Sequence, residues 1–415
     1  MSESGLGSLH PVSRRAVAKY GVFRAFADAG FATPFYVVFM VSNTVTYTDI
    51  AVGTSVMAVT TILLELPSGY FADVFGRRRT MFLSQVGLGL GTVGYVVSDG
   101  TVDIVLTYLA FGIGAALRSG AGTAWFYDKL AEHDDQEQFA AVMGQIGSYV
   151  KYVTTATMIG GGLLYLIEPV YAVAIGAATS LIAAPVVLSL PTNEATDDDG
   201  DAVDPRAALT ATRTFLTNPT IRAVLLLSVL SGGAIYTASK YIQPTTFDAI
   251  PEAGYSLSGV VVPSAMLVAG TYAVFTLGSG VMLDFAERVQ SRLGLGRTVA
   301  AAYGGGAACM ILPVLAPVTT VPAVVAMMSL PKLAQPGVRQ YLNDRMTSDT
   351  RATINSAESF LGALLRIPVM LASGAAADVV SPRVAMAGVG ASFLAVATVV
   401  VFADRPVIVG ASASE

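Results

Sequence analysis

The sequence predicts an all-α membrane protein: twelve transmembrane helices in two pseudo-symmetric bundles of six, with both termini cytoplasmic. Three observations predict it. Of the 415 residues, 53% are hydrophobic and only 13% are charged. A soluble domain carries about 25% charged residues, so the apolar excess calls for a bilayer as solvent. Twelve windows are apolar over the roughly 20 residues that a helix needs to cross a hydrocarbon core. Finally, lysine and arginine fall almost wholly on alternate connections, as the positive-inside rule requires of an even number of spans.

The windows lie near 19–41, 47–72, 80–98, 103–127, 138–165, 169–190, 220–245, 257–283, 297–316, 319–342, 352–376 and 384–403. Pro67, Pro313, Pro331 and Pro336 fall inside them or at their ends, breaks that membrane helices tolerate where neighbours satisfy the freed backbone. With the N-terminus inside, the cytoplasmic segments hold Arg14, Arg15, Lys19, Arg77, Arg78, Arg79, Lys129, Arg206, Arg213, Arg222, Arg288, Arg292, Arg297, Arg345, Arg351 and Arg405, and the external loops hold Arg383. The expected organisation is a cytoplasmic tail at 1–18, a six-helix bundle at 19–191, an acidic linker at 192–219, a second bundle at 220–403 and a cytoplasmic tail at 404–415. The first tail is polar and basic without a small-residue cleavage site, so it reads as a tail and not a signal peptide. The linker carries Asp197, Asp198, Asp199, Asp201 and Asp204 and reads as a solvated connection. The single cysteine, Cys309, excludes an intramolecular disulfide and a cysteine metal site.

The connection between the second and third windows is the most specific stretch. Glu65-Leu66-Pro67-Ser68-Gly69 closes one apolar run, Asp73 and Gly76 mark a turn, and Arg77-Arg78-Arg79 precedes the next. The second half echoes the first. Ser68-Gly69-x-x-x-Asp73 matches Ser279-Gly280-x-x-x-Asp284, and Tyr127-Asp128-Lys129 resembles Asn343-Asp344-Arg345. Both pairs are offset by six windows, which points to a duplicated six-helix unit, a common plan among transporters.

These residues resemble the major facilitator superfamily, whose loop between spans two and three reads Gly-x-x-x-Asp-Arg/Lys-x-Gly-Arg-Arg/Lys. Gly69, Asp73, Gly76, Arg77 and Arg78 match it; Val74 departs from it. Arg118 to Asp128 at the end of the fourth window resembles a family version ending in Tyr-Asp, with Thr123 in place of a frequent Glu. The resemblance implies a cytoplasmic gate. Asp73 would face the N-terminus of span eleven, where the helix dipole favours a carboxylate; Arg77 would pair with Asp128, and Asp284 and Asp344 would be second-half counterparts. Arg78 and Arg79 read as topology determinants only.

Ionisable residues inside spans are costly and usually functional. The first window carries Arg24 and Asp28, the second Glu65, the fourth Arg118, the fifth Lys151, the seventh Lys240, the tenth Lys332 and Arg339, and the eleventh Glu358 and Arg366. The third, sixth, ninth and twelfth have none in their interiors. By resemblance those four face lipid, while one, four, seven and ten line the cavity. Arg24 and Asp28 are spaced i, i+4 and can pair. Glu65 reads as a partner of Arg118 or as a proton carrier, and Glu358 has the same two options with Arg366 or Arg339. Arg24, Asp28, Arg118, Lys151, Lys332 and Arg366 are the candidate cavity residues; Asp28, Glu65 and Glu358 are the candidate proton couplers. Bases outnumber acids, which favours an anionic or zwitterionic solute. The run Thr154 to Gly162 partly matches a glycine-rich antiporter motif, but close helix contact explains its glycines.

The expected function is secondary active transport of a small organic solute by alternating access, with proton-coupled export, an uptake symporter and a facilitator as open variants. A solute sensor and a membrane-embedded enzyme are more remote. His10 and His133, the two histidines, fall in a tail and a loop, and there is no Gly-x-x-x-x-Gly-Lys-Ser/Thr loop. No cofactor, metal or nucleic acid is expected. The partners are the solute, the lipid bilayer and protons, and the expected form is a monomer in the cell (plasma) membrane.

Overall fold

In a computed structural model the described residues are 9–118, 120–192, 219–251, 254–257, 260–344 and 348–403. The linker at 192–219, apart from its two end residues, and the tail at 404–415 fall outside them, whereas residues 9–18 of the first tail are described and lie mostly in the first helix. The chain divides into two compact units. Unit 1 comprises Met1–Val45 and Val56–Ala202, and unit 2 comprises Thr46–Ser55 and Val203–Glu415.

Unit 1 contains α1 (Pro11–Ala27), α2 (Tyr36–Ser42), most of α3 (Tyr47–Phe75), α4 (Arg77–Val97), α5 (Thr101–Arg118), α6 (Ala121–Ala131), α7 (Phe139–Ile167) and α8 (Pro169–Leu188). Helix α4 sits between α5 and α8. Small residues permit this: a Cβ on Gly114 would lie 2.7 Å from the Leu88 nitrogen, and Ser84 donates to the Gly114 carbonyl at 2.7 Å. Such close approach, with hydroxyls bonding across, is how helices adhere where lipid removes the hydrophobic drive. At one end Tyr20 stacks on Trp125 and Phe126, with ring centroids 5.6 and 5.1 Å apart.

Unit 2 contains α9 (Pro219–Ser239), α10 (Ile242–Ala249), β1 (Tyr255–Leu257), β2 (Val260–Val262), α11 (Ser264–Leu293), α12 (Leu295–Leu315), α13 (Thr320–Ser329), α14 (Gln335–Asn343), α15 (Ser348–Val379) and α16 (Pro382–Ala403). Helix α12 packs on α16 and α13, and α9 on α15 and α16.

Eleven helical runs among the described residues are long and apolar enough to cross a membrane, taking α5 with α6 and α13 with α14 as single runs. The window at 19–41 supplies none of the eleven. It is divided between α1 and α2, of 17 and 7 residues. The all-helical expectation also misses the antiparallel hairpin β1–β2, where Tyr255 pairs with Val262. Its second strand is three consecutive valines, whose branched Cβ suits a strand. Its entry is Gly254, at φ +80, where a Cβ would lie 2.0 Å from the Val262 carbonyl oxygen.

Candidate functional site

Four windows are interrupted: the first between α1 and α2, the fourth at Gly120, the seventh between α9 and α10, and the tenth between α13 and α14. A broken membrane helix frees backbone donors and acceptors that must be satisfied by neighbours or a cavity, and such breaks commonly mark transport sites. Charges stand at all four, namely Asp28, Arg118, Lys240 and Lys332.

In unit 1, Asp28 caps the C-terminus of α1. One carboxylate oxygen accepts from Arg24 Nε at 2.7 Å, and the other from Arg118 Nη2 at 2.8 Å. Arg118 is the last residue of α5. The next helix is capped by Gly120 at φ +78, a left-handed turn that glycine enters without steric cost. The cluster has two guanidinium groups and one carboxylate, so it is net positive, and the Arg118 side chain is 40% exposed. One cation is therefore both paired and accessible. Helix α7 props the break open. Thr154 donates to the Asp28 carbonyl at 2.8 Å, and the Gly30 amide donates to the Thr157 hydroxyl at 2.8 Å. A Cβ on Gly161 would lie 2.2 Å from the Phe31 carbonyl oxygen, so the glycine-rich run is there for close backbone contact.

In unit 2, the Arg366 guanidinium lies over the Tyr236 ring, 4.2 Å from its centroid, and Lys240 Nζ is 4.9 Å from the same ring. The negative face of an aromatic ring attracts a cation without cancelling its charge. Tyr241, at the break, donates its hydroxyl to Ser373 at 2.8 Å. The half-buried Lys332 lies in the 3-10 turn between α13 and α14, with Nζ 3.5 Å from the Gln335 Oε1.

Other predicted residues lie apart from these two clusters. Lys151 is exposed on α7. Arg77 forms an ion pair with Asp128, at the end of α3 where Gly76 has φ +83. Asp284 is exposed on α11, and the helix continues past it to Leu293, so it does not close that helix as the repeat with Asp73 suggests. Asp344 is exposed at the C-cap of α14. Gly69 and the side chains of Glu65, Asp73 and Glu358 lie outside the described residues.

Sequence reasoning missed one cluster. Arg78 donates to the Leu190 carbonyl at 2.9 Å, Lys19 to Ser189 at 2.7 Å, Trp125 to Pro191 at 3.1 Å and Lys129 to Thr192 at 3.1 Å. These donors satisfy the carbonyls at and just beyond the C-terminus of α8, where cations also meet the negative end of the helix dipole. Arg78 therefore does more than set topology. The missed signal was the helix end itself, whose orphan carbonyls require partners.

The sequence profile described as Major Facilitator Superfamily matches residues 20–367. No curated protein sequence matches this chain. Among solved structures, a mutant form of the nucleoside transporter NupG is similar with a TM-score of 0.75 and 13% identity, covering 94% of this chain and 99% of that one. NupG itself gives 0.73 at 12% identity, covering 96% and 99%. A POT family transporter in complex with 5-aminolevulinic acid gives 0.67 at 10%, covering 97% and 100%. At these identities the likeness is one of fold.

Proposed function

We propose, from the premise that this chain belongs to the major facilitator superfamily, that it is a secondary active transporter moving a small anionic or zwitterionic organic solute by alternating access. Family membership makes it a transporter rather than an enzyme. The reading adds twelve membrane spans, with α1 and α2 together forming the first, cytoplasmic termini and a monomer in the cell membrane.

The observation that carries the substrate class is the Arg24–Asp28–Arg118 cluster. A solute carboxylate or phosphate would compete with Asp28 for Arg118, which can offer a bidentate fork. Protonation of Asp28 would release both guanidinium groups at once, which couples a proton to the solute without a second site. Glu65 and Glu358 are the other candidate proton carriers. Arg366 on Tyr236, with Lys151 and Lys332, supplies further positive charge. Opening and closing of the cytoplasmic side would involve Gly69, Asp73, Gly76 and the Arg77–Asp128 pair, with Asp284 and Asp344 in the second half.

Reconstituted vesicles, screened with carboxylates, amino acids, dipeptides and nucleosides, test this reading. We expect a charged solute to be carried, with Arg118→Ala lowering its flux at least tenfold and a protonophore abolishing accumulation. Carriage of neutral solutes alone, with Arg118→Ala unaffected, would refute it. The sign of flux under an imposed proton gradient separates export from uptake symport, and a gradient-insensitive flux would mark a facilitator.

A further inference from the structure

Unit 2 carries a groove of about 360 Å³ among α9, α12, α14 and α16, a size within the ~300–1,000 Å³ range of ligand sites. Its floor is buried, with Val299, Tyr303 and Phe393. Its mouth is open: Ala300, Thr398 and Phe402 line it and are exposed. The groove exists because α12 turns small residues towards it. Gly296, Ala300 and Gly304 recur at i, i+4 along one helical face. A Cβ on Gly304 would meet nothing within 4 Å, so no side chain among the described residues fills the slot there.

Two features say what fits. The first is the apolar wall. Beyond Arg297 in α12, and beyond Arg383 in α16, neither helix carries an ionisable residue. Helix α16 also exposes Val396, Val399 and Phe402. In a membrane chain, helix surfaces bare of charge face hydrocarbon. The groove follows α12 from Leu295 to Gly304, about 14 Å at roughly 1.5 Å per residue. That is half of the ~30 Å hydrocarbon core, the depth of one leaflet.

The second feature is the charge at its surface end. Arg297 lies on the first turn of α12, three residues before Ala300 and therefore on the same side of the helix. Its side chain is exposed, as is that of Arg292 in the last turn of α11. The N-cap of α12 is Gly294, which has no side chain to take the first-turn amides. The positive end of the helix thus adds to the two guanidinium groups.

We propose that this groove holds one anionic phospholipid, with an acyl chain in the slot and the phosphate on Arg297. A guanidinium offers a phosphate two parallel hydrogen bonds. The site lies wholly within unit 2. It depends on the chain being a membrane protein and not on which solute is carried, so its test needs no solute.

The test uses the full chain purified in detergent and titrated with dioleoyl phosphatidylglycerol or dioleoyl phosphatidylcholine, with bound lipid counted by native mass spectrometry. Phosphatidylglycerol should bind the more tightly. Arg297→Gln should weaken it about fivefold, the share of one base at an anionic membrane surface, and leave phosphatidylcholine unchanged. Gly304→Leu should fill the slot and weaken both lipids. Ala300→Leu, which closes the slot from its mouth, replaces it if melting shows that Gly304→Leu does not fold. Arg15→Gln, at an exposed base of α1, should change neither affinity. Glycerol phosphate, which has the charge without the chains, should not displace phosphatidylglycerol at equal concentration. Equal affinity for the two lipids, no response to the filled slot, an equal loss with Arg15→Gln, or displacement by glycerol phosphate overturns the proposal.

Discussion

The breaks in α1–α2 and α9–α10 occupy corresponding places in the two halves, yet they are held by different chemistry. In unit 1, Asp28 neutralises one of two guanidinium groups, and α7 takes up the freed backbone through Thr154, Thr157 and Gly161. In unit 2, Arg366 and Lys240 share the face of Tyr236, and the break itself is tied by Tyr241 to Ser373. The difference teaches that two halves can break a helix at matching places and hold the breaks by different contacts. An ion pair can be switched by a proton or displaced by an anion. A cation on an aromatic ring has no carboxylate to protonate and keeps its full charge.

The sharpest way to break the comparison is Asp28→Ala. It removes the carboxylate shared by two partly exposed guanidinium groups, a loss smaller than the roughly 3–5 kcal/mol of breaking a fully buried pair. A drop in unfolding temperature in detergent, larger than for any Tyr236 variant, is the expected outcome; equal drops would erase the distinction. Next is Gly161→Ala. Its methyl would meet the Phe31 carbonyl, and overpacking of this kind costs about 1–3 kcal/mol. The same melting measurement should register it, and a neutral result would show that α7 does not prop the break. The smallest effect is expected at Tyr236. Tyr236→Leu removes the ring from both cations and should cost about 1 kcal/mol, whereas Tyr236→Phe keeps the face and should be nearly silent. Matching losses in the two variants would assign the role to the hydroxyl and not to the ring.

Much of the fold was readable because membrane helices announce themselves by length and polarity. The windows at 80–98, 138–165 and 384–403 became α4, α7 and α16 with ends moved by three residues or fewer. The i, i+4 pairing of Arg24 with Asp28 was readable for the same reason, since one helical face carries both. The partner of Arg118 was not. Sequence pattern offered Glu65, whose side chain lies outside the described residues, and the structure shows Arg118 reaching Asp28, 90 positions away in the chain. The break after α1 was only partly readable: Asp28, Gly30 and Pro34 stand in its window, but the groups that meet the freed backbone, Thr154 and Thr157, come from more than 120 residues further on.

The sequence by itself determined the apolar solvent, the number and rough extent of the apolar windows, the alternation of basic residues between connections and the family. The first three follow from composition and local periodicity and the family from short motifs, none of which needs knowledge of neighbours. Only the tertiary structure decided which helices break and which charges meet. Each of those depends on satisfying a backbone or side-chain group from a distant part of the chain. The short basic loop at Gly76–Arg77 shows both sides: its turn and its arginines are local facts, while its contact with Asp128 exists only because α4 and α6 pack together.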